Sequence, residues 1–149
     1  MCSPLHRKQQ IKKDGNMRKR ELHEGWVFKR GDIYLANLNP FKGSEQGGTR
    51  PVLLLQNNAG NHFSSTLIVA PLTSKLKKDQ LPTHYVVSAG EKLQLNDESM
   101  VELEQIKTID KLRILFYIGK VEAGDMKNVD EILKVSLGIE NIPEDVEAP

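Results

Sequence analysis

A succession of short apolar runs, each cut off by glycine, proline or asparagine, constrains the fold of this chain more than any other feature. "DIYLANL" (Asp32–Leu38) lies between Gly31 and Asn39-Pro40 and is rich in β-branched and aromatic residues. "PVLLLQN" (Pro51–Asn57) and "TLIVAPLT" (Thr66–Thr73) are continuous apolar runs, as expected of strands buried on both faces. "NNAGN" between them is turn chemistry, because Asn and Gly tolerate positive φ. "THYVVS" (Thr83–Ser88) has one wet face. "SMVELEQIKTI" (Ser99–Ile109) alternates Val101, Leu103 and Gln105 against Glu102, Glu104 and Ile106, and reads as one half-exposed strand. "RILFYIGKV" (Arg113–Val121) closes the series. Short strands at this spacing predict a small barrel or sandwich. The last segment differs: Met126, Val129, Leu133 and Leu137, with Ile132 alongside, recur at helical spacing. Asp125 is placed to cap that helix and Gly138 to stop it, and the helix is expected across one end or open edge of the barrel.

The 149 residues suit one domain with a substantial core. A single cysteine, Cys2, excludes an internal disulfide framework and fits a reducing cytosol. No apolar run approaches the roughly 20 residues that cross a bilayer, and the charged N-terminus has no apolar core of a secretory signal after it. The net charge of +1 conceals an asymmetry: residues 1–30 hold nine Lys/Arg and three acids, residues 31–149 twelve and seventeen. The basic start can attract nucleic acid or simply be a solvated tail, and Met17 offers a second start. We therefore expect three parts: a basic, disordered extension (1–28), with regular structure beginning near Trp26; a folded domain (29–139); and an acidic, disordered tail (140–149).

The sequence contains no common catalytic motif. The histidines His6, His23, His62 and His84 are scattered without metal-site spacing, and there is no phosphate-cradling glycine loop or nucleophile elbow. Glu102 and Glu104 share a strand face in this reading, where acids are ordinarily solvated. What stands out is Arg50, at the joint between the glycine-rich segment 39–49 and a buried strand, with a rigid proline behind it. Its planar fork of donors matches phosphate oxygens, and Gly47 and Gly48 allow close backbone approach. A phosphate site and an arginine that anchors its loop through a nearby acid both fit that placement.

The stretch "KRGDIYLANLNPFKGSEQGGTRPVLLLQNNAGNHFSSTLIVAPLTS", with "LPTHYVV", "DESMVELEQIKTIDKLRI" and the helix ending "SLGI", strongly resembles the MazF/PemK family of toxin endoribonucleases over about Lys29 to Ile139. The resemblance implies a small SH3-like β-barrel of the PemK/CcdB type with a C-terminal helix, assembled as a homodimer in the cytoplasm. It implies a metal-independent mRNA interferase, without cofactor, that cuts single-stranded RNA at short sequences and arrests translation and growth. A cognate antitoxin of the MazE type holds it silent, and operator DNA is met only through that antitoxin. By the same likeness, Arg50 and Thr73 are catalytic; Ser44, Glu45, Gln46 and Gly47 of the loop and Gln105 of "LEQI" contact RNA; and His84 lies near the groove. No membrane partner is expected.

Glu45 and His84 are the alternative proton carriers, His84 being equally readable as a structural histidine. Lys75, Lys77 and Lys78 can track the RNA backbone or form a solvated cluster. A gyrase-poisoning toxin on the same fold and a non-catalytic RNA-binding module are the competing readings. The extension 1–28 has no counterpart in the family pattern.

Overall fold

The computed structural model describes residues 20–74, 81–87, 95 and 98–139. Its elements in chain order are β1 (Arg20–Glu21), β2 (Asp32–Asn37), β3 (Thr49–Leu54), α1 (Asn58–Phe63), β4 (Thr66–Thr73), β5 (His84–Val87), β6 (Ser99–Glu102), β7 (Lys107–Asp110), β8 (Ile114–Lys120) and α2 (Ala123–Leu137). Short 3-10 turns occupy Leu103–Gln105 and Lys111–Arg113. The strands form an eight-stranded sheet in the order β1-β8-β2-β3-β4-β6-β5, with β7 also on β4. Every pairing is antiparallel. Among the described residues the path runs from β1 to β5 without closing on itself, so the observed architecture is an open antiparallel sheet with a C-terminal helix.

Neighbouring residues along the central strands serve two different cores. Ile33, Leu53, Ala70 and Leu72 join Val87, Val101 and Ile118 in one cluster, onto which Met126, Val129, Ile132 and Leu133 of α2 pack. Tyr34, Val52, Leu54 and Val69 join Leu67, Ile109 and Ile114 in the other. Since strand side chains alternate faces, β2, β3 and β4 bury residues on both faces. That burial is why the centres of these strands read as apolar runs.

The second core extends the folded body toward the N-terminus, which corrects the expected start of the domain at Lys29. Arg20 and Glu21 pair with Tyr117 and Phe116 of β8. Leu22, Trp26 and Phe28 pack on the second cluster. The Trp26 indole N–H donates to the Tyr34 hydroxyl at 2.9 Å, and that hydroxyl donates to Asp32 Oδ2 at 2.6 Å. Residues 1–19 and 140–149, read as extension and tail, lie outside the described residues, as does Ser88 at the end of the predicted third strand.

Three further expectations change. "NNAGN" is not a bare turn: Asn57 caps α1, its Oδ1 accepting from the Gly60 N–H at 2.8 Å. Asp125 does not cap α2; the N-cap is Glu122, whose side chain makes no capping bond, and Asp125 instead accepts from the Tyr85 hydroxyl at 2.6 Å. Gly138, at φ 70°, does end the helix as expected, in the left-handed conformation that favours glycine. The predicted strand Ser99–Ile109 is two strands, β6 and β7, both on β4. Val101 stands opposite Leu72 and Lys107 opposite Val69, so this segment advances six residues while β4 advances three. The turn Leu103–Gln105 takes up that surplus. An odd surplus inverts the in–out alternation, so no single pattern can hold across the segment. Glu102, expected on the wet face, is buried at 3% exposure, as all four residues of β6 are.

Candidate active site

The segment between β2 and β3 is folded back and tied down. The Leu38 N–H donates to Gly48 O at 2.9 Å, and the Gly48 N–H to Asn39 Oδ1 at 2.8 Å. Arg113 donates from Nη1 to Asn37 O at 3.1 Å and also to Asn39 O, fixing the base of the loop. Gly48, at φ 79°, turns the chain into β3 in a conformation that side-chain-bearing residues rarely adopt. At Gly47 the need is for space: the Phe41 ring fills the room a Cβ would take, with Cδ1 at 1.9 Å from that position.

The tip of the loop is clipped to the turn after β6. The Gln46 N–H donates to Gln105 Oε1 at 3.3 Å, and Gln105 Nε2 donates to Ser44 O at 3.2 Å. Gln46 Nε2 donates to Glu102 Oε1 at 2.6 Å. Glu45 is exposed, and its Oε1 accepts from the Lys42 N–H at 3.1 Å. Gln105 is therefore brought against Ser44 and Gln46, in the loop that also carries Glu45 and Gly47.

Arg50 sits at the root of this loop, half-buried on β3 opposite Ala36. Its Nε donates to Gly47 O at 2.7 Å. Its two terminal nitrogens make no hydrogen bond or ion pair among the described residues. The alternative of an arginine paired with an acid is thus not what these residues form. Thr73 ends β4, buried at 9% exposure and opposite Met100 of β6. Val52 of β3 faces Pro71 of β4, where the ladder between these strands ends; Arg50 lies two residues before Val52 and Thr73 two residues after Pro71. Because strand side chains alternate, Arg50 and Thr73 lie on the strand faces that carry Val52 and Pro71. Glu102 and His84, paired in the β5–β6 ladder, complete this end of the sheet.

His84 is held on both ring nitrogens. The Leu81 N–H donates to Nδ1 at 3.1 Å, so Nδ1 is the acceptor and Nε2 carries the proton. Nε2 in turn donates to Glu104 Oε1 at 2.7 Å, and Glu104 Oε2 accepts from Thr83 Oγ1 at 2.9 Å. His84, Glu102 and Glu104 each bring a donor atom within 4.8 Å of the others, a cluster that sequence spacing did not reveal. A cation on Nε2 would require the proton to move to Nδ1, where it would face the Leu81 N–H. The hydrogen-bond pattern therefore fits a structural dyad better than a metal ligand. Lys75, Lys77 and Lys78 lie outside the described residues.

The sequence reading missed Glu102 and Arg113. Neither carries a local signal: Glu102 meets Gln46 across 56 residues, and Arg113 meets Asn37 across 76. The strongly shifted ionisable groups lie elsewhere. Burial pushes Asp32 and Tyr34 upward, where Trp26 donates to the Tyr34 hydroxyl.

Comparison with known proteins places this arrangement. The solved MazF of Deinococcus radiodurans superposes with a TM-score of 0.66 at 24% identity, over 76% of this chain and 98% of that one, so the fold is that of a solved toxin. A MazE–MazF complex from the same organism matches at 26% identity, TM-score 0.59, over 77% and 99%. An endoribonuclease from a mycobacterial species matches at 25% identity, TM-score 0.59, over 75% and 92%. Residues 29–137 match the family of PemK-like, MazF-like toxins of type II toxin–antitoxin systems, and the chain belongs to that family.

Proposed function

We propose that this toxin is an endoribonuclease that cuts single-stranded mRNA by in-line attack of the ribose 2′-hydroxyl on the adjacent phosphorus, leaving a 2′,3′-cyclic phosphate and a 5′-hydroxyl. The observation that carries the reading is Arg50: Nε is tied to Gly47 O, which orients the guanidinium and leaves both terminal nitrogens for an anion. A fixed fork of N–H donors stabilises charge as it grows on the phosphorane oxygens, and holding the nucleotide in line supplies much of the remaining barrier reduction. Thr73, at the end of β4, is the partner hydroxyl. The ribose brings its own nucleophile, so the reaction as written needs no metal-bound water.

The arginine guanidinium offers only donors and is a poor base. Of the two proton carriers, Glu45 is the better supported: it is exposed and one carboxylate oxygen is engaged, whereas both His84 nitrogens are taken. Sequence choice comes from unstacked bases read on their edges by Ser44, Gln46 and Gln105, with the lysines at 75, 77 and 78 following the backbone.

The neighbouring MazE–MazF complexes support an antitoxin as the masking partner, and we read the active form as a cytosolic homodimer with a small SH3-like barrel in each copy. The test is incubation with a defined single-stranded RNA in EDTA. A product ending in a cyclic phosphate is expected, and Arg50→Lys should lower kcat by roughly 10²–10³-fold, as for loss of one oxyanion donor. Cleavage by Arg50→Lys at the wild-type rate would remove Arg50 from this role.

A further inference from the structure

We infer that Glu102 is a positioning residue for the reaction: a buried carboxylate that sets the Arg50 guanidinium through Gln46 and Gly47. The inference rests on the reading of Arg50 as the phosphate-gripping group. Its basis is a continuous chain of contacts. Glu102 Oε1 accepts from Gln46 Nε2 at 2.6 Å, Gln46 is bonded to Gly47, and Gly47 O accepts from Arg50 Nε at 2.7 Å. Glu102 is 3% exposed and stands on β6, which lies between β4 and β5 in the sheet, whereas the loop it holds has an exposed tip. The carboxylate thus anchors a loop segment to the sheet at the residue next to the carbonyl that orients Arg50.

The chemistry at position 102 is specific. A carboxylate only accepts hydrogen bonds, so the Gln46 amide must turn its NH₂ toward it. That fixes the amide orientation and leaves Gln46 Oε1 as the group free to accept from a substrate. The bond is charge-assisted, and such bonds are shorter and stronger than neutral ones. Gln105 adds a second clip, to the Gln46 N–H and to Ser44 O. The Phe41 ring lies against Gly47 and closes the other side. With Glu102 removed, Gly47 O loses one of these constraints and Arg50 samples orientations in which the fork no longer faces the phosphate. A misplacement of about 1 Å can lower turnover by two orders of magnitude.

The experiment compares wild type, Glu102→Leu, Glu102→Gln and Gln46→Met in two measurements: single-stranded RNA cleavage, and the ¹⁵N–¹H signal of Arg50 Nε. Glu102→Leu should lower kcat by roughly 10–100-fold with a smaller change in KM, because orientation and not ground-state binding is lost. Glu102→Gln, which keeps an acceptor oxygen, should recover part of that loss. In Glu102→Leu and in Gln46→Met the Arg50 Nε–H should shift and exchange faster with solvent, a change that destabilisation remote from Gly47 would not produce. Gln46→Met carries the spectroscopic test if Glu102→Leu does not fold. An unchanged Nε–H signal in whichever of the two folds, or wild-type kcat in Glu102→Leu, overturns the inference. The parent reading fails separately: wild type would then leave RNA uncut, or Arg50→Lys would cut normally.

Discussion

At the residue scale, the site is built from side chains whose hydrogen bonds settle what each can do. Arg50 has one nitrogen committed to its own loop and two available for an anion. His84 has both ring nitrogens committed, and Glu45 has one carboxylate oxygen engaged. Proton transfer by a positioned side chain typically contributes about 10²–10⁴-fold to a rate. Glu45→Gln should therefore lower kcat for RNA cleavage by an amount in that range, and His84→Gln by much less. Steady-state kinetics on one defined oligonucleotide would check both, and the reverse order would move the proton-carrier role to His84. Arg50 was legible from its position between a glycine-rich loop and an apolar strand. Glu102 was not, because burial of an acid depends on which distant amide meets it.

At the element scale, the strands were largely legible and their connections less so. β4 coincides with the apolar run Thr66–Thr73, because a strand buried on both faces leaves no polar alternation to misread. β6 and β7 were read as one strand, because the inserted turn is itself composed of residues that continue a plausible alternation. β1 left little trace, since its two residues are exposed and owe their conformation to β8.

The buried polar chain Trp26–Tyr34–Asp32 makes a prediction at this scale. Burial raises Asp32 above its ordinary value of 3.8, with the Tyr34 hydroxyl, the Lys29 N–H and nearby lysine charges opposing the shift. A carboxyl whose pKa rises on folding stabilises the folded state fully below the unfolded value, and that contribution is lost as pH climbs through the raised value. Relative to Asp32→Asn, the wild-type Tm should therefore rise as the pH is lowered from about 7 toward about 4. Paired thermal melts at several pH values would show it, and a difference that is flat or falls with acid would contradict it.

At the scale of the whole molecule, the N-terminal segment 20–28 belongs to the body that carries the site. Trp26 lies 5.1 Å from Tyr117 between ring centroids, and Phe28 lies 5.2 Å from Tyr34. Deleting residues 1–28 removes both partly buried aromatics, Leu22 and β1, and should cost on the order of 3 kcal/mol, about what truncating one fully buried aromatic costs. Deleting only residues 1–19 leaves these contacts in place and should not reproduce the loss. Chemical denaturation of the two truncations would separate them, and equal stability would show that segment 20–28 contributes little. The central claim concerns chemistry and not stability: an oriented guanidinium with a neighbouring hydroxyl breaks the phosphodiester because the ribose provides the attacking oxygen. The most direct measurement replaces the single ribose at the cut position with 2′-deoxyribose in an otherwise unchanged RNA. Scission at that bond should disappear while binding persists; scission at the normal rate would show that the attacking oxygen comes from elsewhere.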